Sequence, residues 1–333
     1  MVSRNTEQEI IATVTEHSYR KTEAIMKNAL ARETIRRQVL KTGGKAKALP
    51  LTRTEERVIP EKRLRDAGDQ THTYKNSAGS AIRQQIGKLL GLDRLYLLID
   101  GVQVFQKDKG SQGEESRECK VGAILRQNAG EILEIAAWCT WGRIRAFRAL
   151  TSVAWLAATA ALKIPVVIVS DGAKWIRNMR KWIPGLKDAI WILDWFHLRD
   201  HAAKCLRLFG IEEASGTATI LIGLLWRGKA DDAARMVGAL PVSGDETKRR
   251  EEEAAEKNFL TYLNNQREGI VDYEAYQQQG CLVGSGFVEK LNDTLIKNRM
   301  VRGRRMRWSL SGGEAMMALL AARHNGRLQE VFA

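Results

Sequence analysis

The order of apolar segments between residues 94 and 194 is the feature that most constrains the fold. Three strand-like stretches come first, and two short apolar runs follow, each after a helical pattern. The late runs are continuous rather than alternating, which is typical of strands buried on both faces of a sheet. The sequence therefore predicts an α/β fold with a mixed five-stranded sheet flanked by helices. The predicted strands are Arg94–Asp100, Glu118–Leu125, Glu131–Thr140, Val166–Asp171 and Ala189–Asp194. The predicted helices between them are Arg145–Leu162 and Lys174–Trp182.

The segments outside this core divide the chain further. Residues 1–45 are helical in pattern and predict a helix-turn-helix-like region. Residues 46–85 are polar and predict a linker or an extended surface strand, and residues 198–275 predict a helical insertion. Residues 86–197 and 276–325 then form one α/β domain. In such a region the second helix enters the DNA major groove, so it would present Arg36, Arg37 and Lys41 while Ile35, Val39 and Leu40 pack inward. Two amphipathic helices can equally be packing elements alone.

Composition excludes several classes of protein. Apolar runs are too short to span a membrane and the start of the chain lacks a signal-peptide pattern, so we expect a cytoplasmic protein. The four cysteines form no C-x-x-C pair, and we expect them to be reduced packing residues.

The net charge of +14 is concentrated at the two ends of the chain. Residues 1–90 hold 18 Lys and Arg against 10 Asp and Glu, and residues 290–333 hold 9 against 3, whereas the middle is balanced. Basic ends suit a nucleic acid partner, because cations on the protein release counterions from the polyanion. A basic surface without such a partner fits charge alone equally well. The candidate phosphate contacts near the second end are Lys297, Arg299, Arg302, Arg304, Arg305 and Arg307. Trp308 beside them could stack on a base, but we expect it in the core.

Three carboxylates stand where strand and helix ends could bring them together. Asp100 and Asp171 each follow an apolar strand, and Glu289 lies in the first turn of a helix after a Gly-Ser-Gly turn. Carboxylate oxygens are the ligands that Mg²⁺ prefers. Asp-Gly pairs are also common turn residues, so position alone leaves both interpretations open.

Neighbouring motifs carry a resemblance to a known family. The strings Ser170-Asp-Gly-Ala-Lys-Trp-Ile176, Leu193-Asp-Trp-Phe-His-Leu198 and Val283-Gly-Ser-Gly-Phe-Val-Glu289, with the basic tail that follows, resemble bacterial insertion-sequence DDE transposases of the Mutator-like kind. Leu98-Ile-Asp-Gly101 is similar to the first-aspartate strand of those enzymes. The order of predicted strands and helices is that of the RNase H-like fold which they share. Such relatives often have a cysteine-rich element that this sequence lacks.

The resemblance implies a function and a set of site residues. Asp100, Asp171 and Glu289 would be the catalytic residues and would bind two Mg²⁺ ions, for which Mn²⁺ can substitute. Asp194 and His197 match an accessory C/D-x-x-H motif, whose histidine could contact DNA, position a phosphate or fix the turn between strand and helix. A zinc site formed by Asp194, His197 and His201 is the less favoured interpretation.

The implied reaction is cleavage and strand transfer of DNA, with double-stranded transposon ends and target DNA as partners and a homo-oligomer holding two ends. The alternatives are a nuclease without strand transfer and a DNA-binding protein derived from a transposase that has lost catalysis.

Overall fold

A single mixed sheet organises the protein. The computed structural model describes residues 2–26, 30–59, 93–107, 115–128, 131–159, 164–183, 185–301 and 306–333. Within them the sheet has six strands in the order β1-β4-β3-β2-β5-β6, namely β1 (Thr52–Val58), β2 (Arg94–Phe105), β3 (Ser116–Asn128), β4 (Glu131–Thr140), β5 (Val166–Ser170) and β6 (Ile190–Leu193). Strands β1 to β4 pair in antiparallel fashion, and β5 and β6 are parallel to β2. The predicted mixed sheet is confirmed, with one strand more than predicted.

The additional strand lies within the predicted linker. Strand β1 has the sequence TRTEERV and pairs with β4 at the edge of the sheet. Charged residues are tolerated at a sheet edge, where one side of the strand needs no partner, and this explains why the segment has no strand-like apolar pattern. Residues 60–85 of the predicted linker lie outside the described residues.

Strand β2 is longer than predicted. The sequence indicated a turn at Asp100-Gly101 with a further β-like run at Val102–Phe105, but β2 continues without a break to Phe105 and pairs with β3 over all twelve residues. The expectation of a turn was wrong because the Asp-Gly pair is held inside a continuous antiparallel ladder. Asp100 therefore lies within a strand and not at its end.

Twelve α-helices accompany the sheet in the described residues. They are α1 (Arg4–Glu16), α2 (Tyr19–Ile25), α3 (Arg32–Ala46), α4 (Ile144–Thr159), α5 (Lys174–Met179), α6 (Trp195–Leu208), α7 (Gly216–Trp226), α8 (Ala230–Gly238), α9 (Glu246–Gln266), α10 (Tyr273–Gln278), α11 (Gly286–Asn292) and α12 (Leu310–His324). Helix α4 packs on β3 and β4, α12 on β4, and α11 on β2 and β3. The predicted helical character of residues 198–275 is confirmed by α6 to α10.

The three N-terminal helices pack against the core. Helix α3 lies along α12, with Ile35 and Val39 fully buried as predicted. The approach is close enough that a Cβ atom on Gly43 would lie 2.6 Å from the Cβ and carbonyl oxygen of Ala315. Gly43 and the following Gly44 both lie inside α3.

Two further expectations concern composition. All four cysteines are buried and unpaired, as predicted. In the part of the chain that the structure describes, none of the helices combines the length and the apolar character needed to cross a membrane.

Candidate active site

Asp100 and Asp171 are neighbours across two parallel strands. The register pairs Leu98 of β2 with Val169 of β5, and two further steps along both strands place Asp100 beside Asp171. Adjacent strands lie about 4.7–4.9 Å apart. Asp171 directly follows β5, and its Oδ1 accepts a hydrogen bond from the Ala173 N–H at 2.9 Å before α5 begins. The sheet itself thus brings the two carboxylates together.

Both oxygens of the Asp100 carboxylate accept hydrogen bonds. Its Oδ1 accepts the Gly101 N–H at 2.7 Å, and its Oδ2 accepts a hydrogen bond from Nδ2 of Asn292. Burial raises the pKa of Asp100 to about 6, and the negative charges of Asp171 and Glu289 act in the same direction. The Gly101 hydrogen bond and His197 oppose this rise. Asp100 is therefore a crowded carboxylate that a nearby cation would stabilise in its charged form.

Asp194 connects three elements of the site. It follows β6 and caps α6, accepting the His197 N–H on Oδ1 at 2.9 Å, while its Oδ2 accepts the N–H of Ser285 from the turn before α11. Its side chain is 0% exposed. Burial acts to raise the pKa of Asp194, but the hydrogen bonds from His197 and Ser285 outweigh it and the pKa is lowered. A buried, ionised carboxylate therefore fixes the start of α6 against the start of α11.

His197 lies one helical turn into α6, over the same carboxylate. Its Nδ1 is 3.3 Å from Asp194 Oδ1. The interaction with Asp194 raises the pKa of His197 to about 9 in spite of partial burial, and the charges of Asp171 and Asp100 contribute. This arrangement favours the interpretation in which the pair fixes the turn between strand and helix. It also places a positive charge next to the acidic cluster.

Glu289 reaches the cluster from α11. The side chain is exposed, and one of its oxygens lies within 4.8 Å of ligand atoms of Asp194 and His197. Desolvation by the surrounding protein and the Asp194 charge raise the pKa of Glu289, while His197 and Lys297 lower it. Among the described residues, only Asp194, His197 and Glu289 have ligand atoms within 4.8 Å of one another. Asp100 and Asp171 lie outside that group and act on it through their charges.

Helix α9 of the helical insertion closes one side of this site. Tyr262 stacks on His201 with ring centroids 3.8 Å apart, and its buried hydroxyl has no hydrogen-bond partner within the described part of the chain. Burial and the charges of Asp171 and Asp194 raise the pKa of Tyr262. Among the described residues, His201 is not one of the groups whose ligand atoms cluster with Asp194 and His197, so the zinc interpretation gains no support.

The turn after Asp171 also contacts α9. Gly172 has φ +80°, and a Cβ atom there would lie 2.4 Å from Oε1 of Gln266. The amide of the same side chain also makes a hydrogen bond here, since Gln266 Nε2 donates to the Gly172 carbonyl at 3.2 Å. The helical insertion therefore supports the backbone that carries Asp171.

The predicted DNA contacts differ in their exposure. Arg36, Arg37 and Lys41 are exposed on α3, and Arg307 is exposed near α12. Lys297 is half-buried in a π-helical segment, Asp293–Val301, that continues from α11. Arg302, Arg304 and Arg305 lie outside the described residues.

Arg299 has a different environment from the one predicted. Its side chain is 4% exposed, between the rings of Tyr19 and Trp308, and its Nε donates to the Val14 carbonyl at 2.6 Å. Burial lowers the pKa of Arg299 to about 10. Arg299 joins the N-terminal helices to the core and does not present a surface to DNA in this structure. Trp308 is buried beside it, as predicted.

The sequence did not indicate Asn292, Tyr262 or Gln266 as site residues. Asn292 had a detectable signal, because it follows Glu289 by three positions and residues at this spacing share a helix face. The other two contact the site across more than 60 residues of chain, and no local pattern marks them.

Comparison with known proteins gives a family and no named relative. No curated protein matches the chain. The sequence profile of an uncharacterised protein family, UPF0236, matches residues 157–331, a range that includes Asp171, Asp194, His197 and Glu289 but not Asp100. Since this match covers more than half of the chain, the protein belongs to the uncharacterised protein family UPF0236.

Proposed function

We propose that the protein is a Mg²⁺-dependent DDE transposase with an RNase H-like catalytic domain. The strand order β4-β3-β2-β5-β6 supports the fold, because an antiparallel meander followed by two parallel strands beside its first member is the arrangement expected of that class. The observation that carries the proposal is that the strand register places Asp100 beside Asp171, while the charge of Glu289, on a helix 118 residues further along the chain, also acts on Asp100.

The donor set fits a hard divalent cation. Three carboxylates offer oxygen ligands. The pKa values of Asp100 and Glu289 are raised, as desolvation and neighbouring negative charges would do. Asp100, Asp171 and Glu289 would hold the ions. Bound there, Mg²⁺ supplies activation of an attacking oxygen and stabilisation of a leaving oxygen during phosphoryl transfer.

The residues around the carboxylates position them for this chemistry. Asp194 links the segments that carry His197 and Glu289, and Gln266 supports the turn after Asp171. His197, protonated at neutral pH, and Lys297 near Glu289 provide positive charge beside the site, where a DNA phosphate would lie. The chain therefore offers both the anionic ligands and the cations that a phosphate-transfer site needs.

The proposed substrates are double-stranded DNA ends of the mobile element and target DNA. The exposed Arg36, Arg37 and Lys41 on α3 support a DNA surface, together with Arg307. Transfer of an element requires two ends to be held together, so the proposal includes a homo-oligomer on DNA. The site of action would be the cytoplasm.

The test uses the DNA that flanks the gene as substrate. The full chain is incubated with labelled duplexes of both flanks, a supercoiled target plasmid, and Mg²⁺, Mn²⁺ or EDTA. We expect 3′-hydroxyl formation and joining of the labelled end to the plasmid, both lost in EDTA. Glu289→Gln should lower the rate at least about a hundredfold, because it removes a charged ligand. Lys290→Gln, a change of charge at the adjacent exposed residue, is the control.

Other outcomes select the alternatives. Cleavage without joining would identify a nuclease. Binding to flanking DNA without any cleavage, in wild type and Glu289→Gln alike, would identify a DNA-binding protein that has lost catalysis. Cleavage and joining that Glu289→Gln leaves intact would refute the assignment of the site.

A further inference from the structure

Asn292 is a buried amide in direct contact with one carboxylate of the candidate site. Asn292 is 1% exposed and lies one helical turn after Glu289. The Nδ2 group donates to Asp100 Oδ2, across 192 residues of sequence. Asn292 Oδ1 is equally inaccessible and has no hydrogen-bond partner among the described residues.

The orientation of this amide follows from its neighbour. An ionised carboxylate only accepts hydrogen bonds, so the NH₂ side of the amide must face Asp100. The oxygen is then directed elsewhere in the same crowded region. Buried amide oxygens are seldom left without a donor, because desolvation without a hydrogen bond is unfavourable.

A second buried asparagine shows what a purely structural role looks like in this protein. Asn325 is also 1% exposed, but all of its polar capacity is used by the main chain. Its Oδ1 accepts the Ala137 N–H at 3.2 Å, and its Nδ2 donates to the carbonyls of Ala137 and Leu51 at 2.7 and 3.0 Å. Asn292 instead contacts a proposed metal ligand and keeps an acceptor free.

We propose that Asn292 is a positioning residue of the cation site. Its Nδ2 fixes the orientation of the Asp100 carboxylate, which would be a ligand of the cation. This inference rests on the proposed function, since it assumes that Asp100 binds the cation. It adds that Glu289 and Asn292, on one face of α11, act on the cation and on its ligand from the same helix.

Metal affinity measured without DNA tests this proposal. Mn²⁺ and Mg²⁺ are titrated calorimetrically into the full chain and into Asn292→Leu, Asn325→Leu and Asp100→Asn, with the thermal midpoint of each protein measured in EDTA. We expect Asn292→Leu to weaken Mn²⁺ binding at least about tenfold, the usual effect of removing a residue that orients a ligand. Asn325→Leu, the matched control, should lower the thermal midpoint and leave the Kd for Mn²⁺ within about twofold of wild type.

The outcomes separate failure of this inference from failure of the proposed function. If Asp100→Asn abolishes binding while Asn292→Leu binds as wild type does, Asn292 has no role at the cation and the site stands. If Asn292→Leu and Asn325→Leu weaken binding equally, the effect is general loosening and the inference is again wrong. Wild-type protein that binds no Mn²⁺, or Asp100→Asn that binds normally, would refute the metal site itself. Should Asn292→Leu show no cooperative unfolding, Asn292→Ser replaces it with the same expectation, because its hydroxyl is too short to reach Asp100.

Discussion

The ionisation of His197 depends on a carboxylate that solvent does not reach. Contact with Asp194 raises the pKa of His197 to about 9, so the imidazole is protonated at neutral pH. Because the folded pKa is raised, the stability that this proton contributes is complete below the ordinary pKa of about 6.5 and is lost as the pH rises through 9.

Nuclear magnetic resonance of the histidine rings in EDTA checks this directly. We expect His197 to titrate near pH 9, and Asp194→Asn to move its midpoint down toward about 6.5. The free energy of unfolding of wild type should fall between pH 7 and pH 9.5 relative to His197→Gln, which also assigns the resonance. A wild-type midpoint near 6.5 would show that the buried carboxylate does not hold the proton.

Gly172 is restricted both by its backbone conformation and by its neighbour. Gly172→Ala should lower the free energy of unfolding by about 1–3 kcal/mol from the positive φ alone, and by more because the new methyl group would contact Gln266. Gly210→Ala is the control, since Gly210 has φ +70° with no atom within 4 Å of the added Cβ. Denaturant titration should find the Gly172 variant less stable than the Gly210 variant; equal losses would mean that contact with α9 contributes nothing.

At the scale of elements, the junction of α3 with α12 depends on one of two consecutive glycines. The space at Gly43 is filled by Ala315, whereas an added Cβ at Gly44 would meet nothing within 4 Å. Both residues lie inside α3, so helix propensity favours alanine equally at each.

Alanine substitutions at the two positions should therefore change the stability of the protein in opposite directions. Gly44→Ala should stabilise the protein by about 0.5–1 kcal/mol, and Gly43→Ala should destabilise it because the two helices must separate. Chemical denaturation of both variants measures the difference. If Gly43→Ala were as stable as Gly44→Ala, α3 would not pack on α12 as described.

The elements differ in how far the sequence predicts them. Buried strands β5 and β6 were predictable because a continuous apolar run has few other structures open to it, and Asp171 at the end of β5 followed from that. Strand β1 was indicated only as an alternative to a linker, since an edge strand needs no apolar pattern. The extension of β2 through Gly101 depends on pairing with β3, and local turn chemistry indicated the opposite. Arg299 was placed on the surface because charge alone does not reveal that its guanidinium packs between the nearby Trp308 and the distant Tyr19.

At the scale of the whole molecule, the proposed DNA surface has a measurable ionic signature. Each Lys or Arg that contacts a phosphate contributes about 1 to the slope of log affinity against log salt concentration. Neutralising Arg36, Arg37 and Lys41 to Gln should lower the magnitude of that slope by about 3 in a fluorescence anisotropy titration with flanking duplex.

The control neutralises three exposed arginines of the helical insertion, Arg235, Arg249 and Arg250. Like Arg36 and Lys41, they are paired with acidic side chains. Substitution of these three arginines with Gln should leave the slope of log affinity against log salt concentration within about 1 of wild type. A similar reduction by both triple variants would indicate a response to net charge and not a defined surface on α3.

The link between Asp194 and Ser285 has a consequence for the order in which the protein forms. The two residues are 91 positions apart, and the intervening helices must be synthesised before α11 can dock. Asp100 and Asp171 leave the ribosome with the sheet, more than a hundred residues ahead of Glu289. Closing so long a loop makes this contact one of the later events in folding. The three carboxylates are therefore brought together only after α11 has been synthesised, and a translation product interrupted before Glu289 carries the two aspartates without the glutamate.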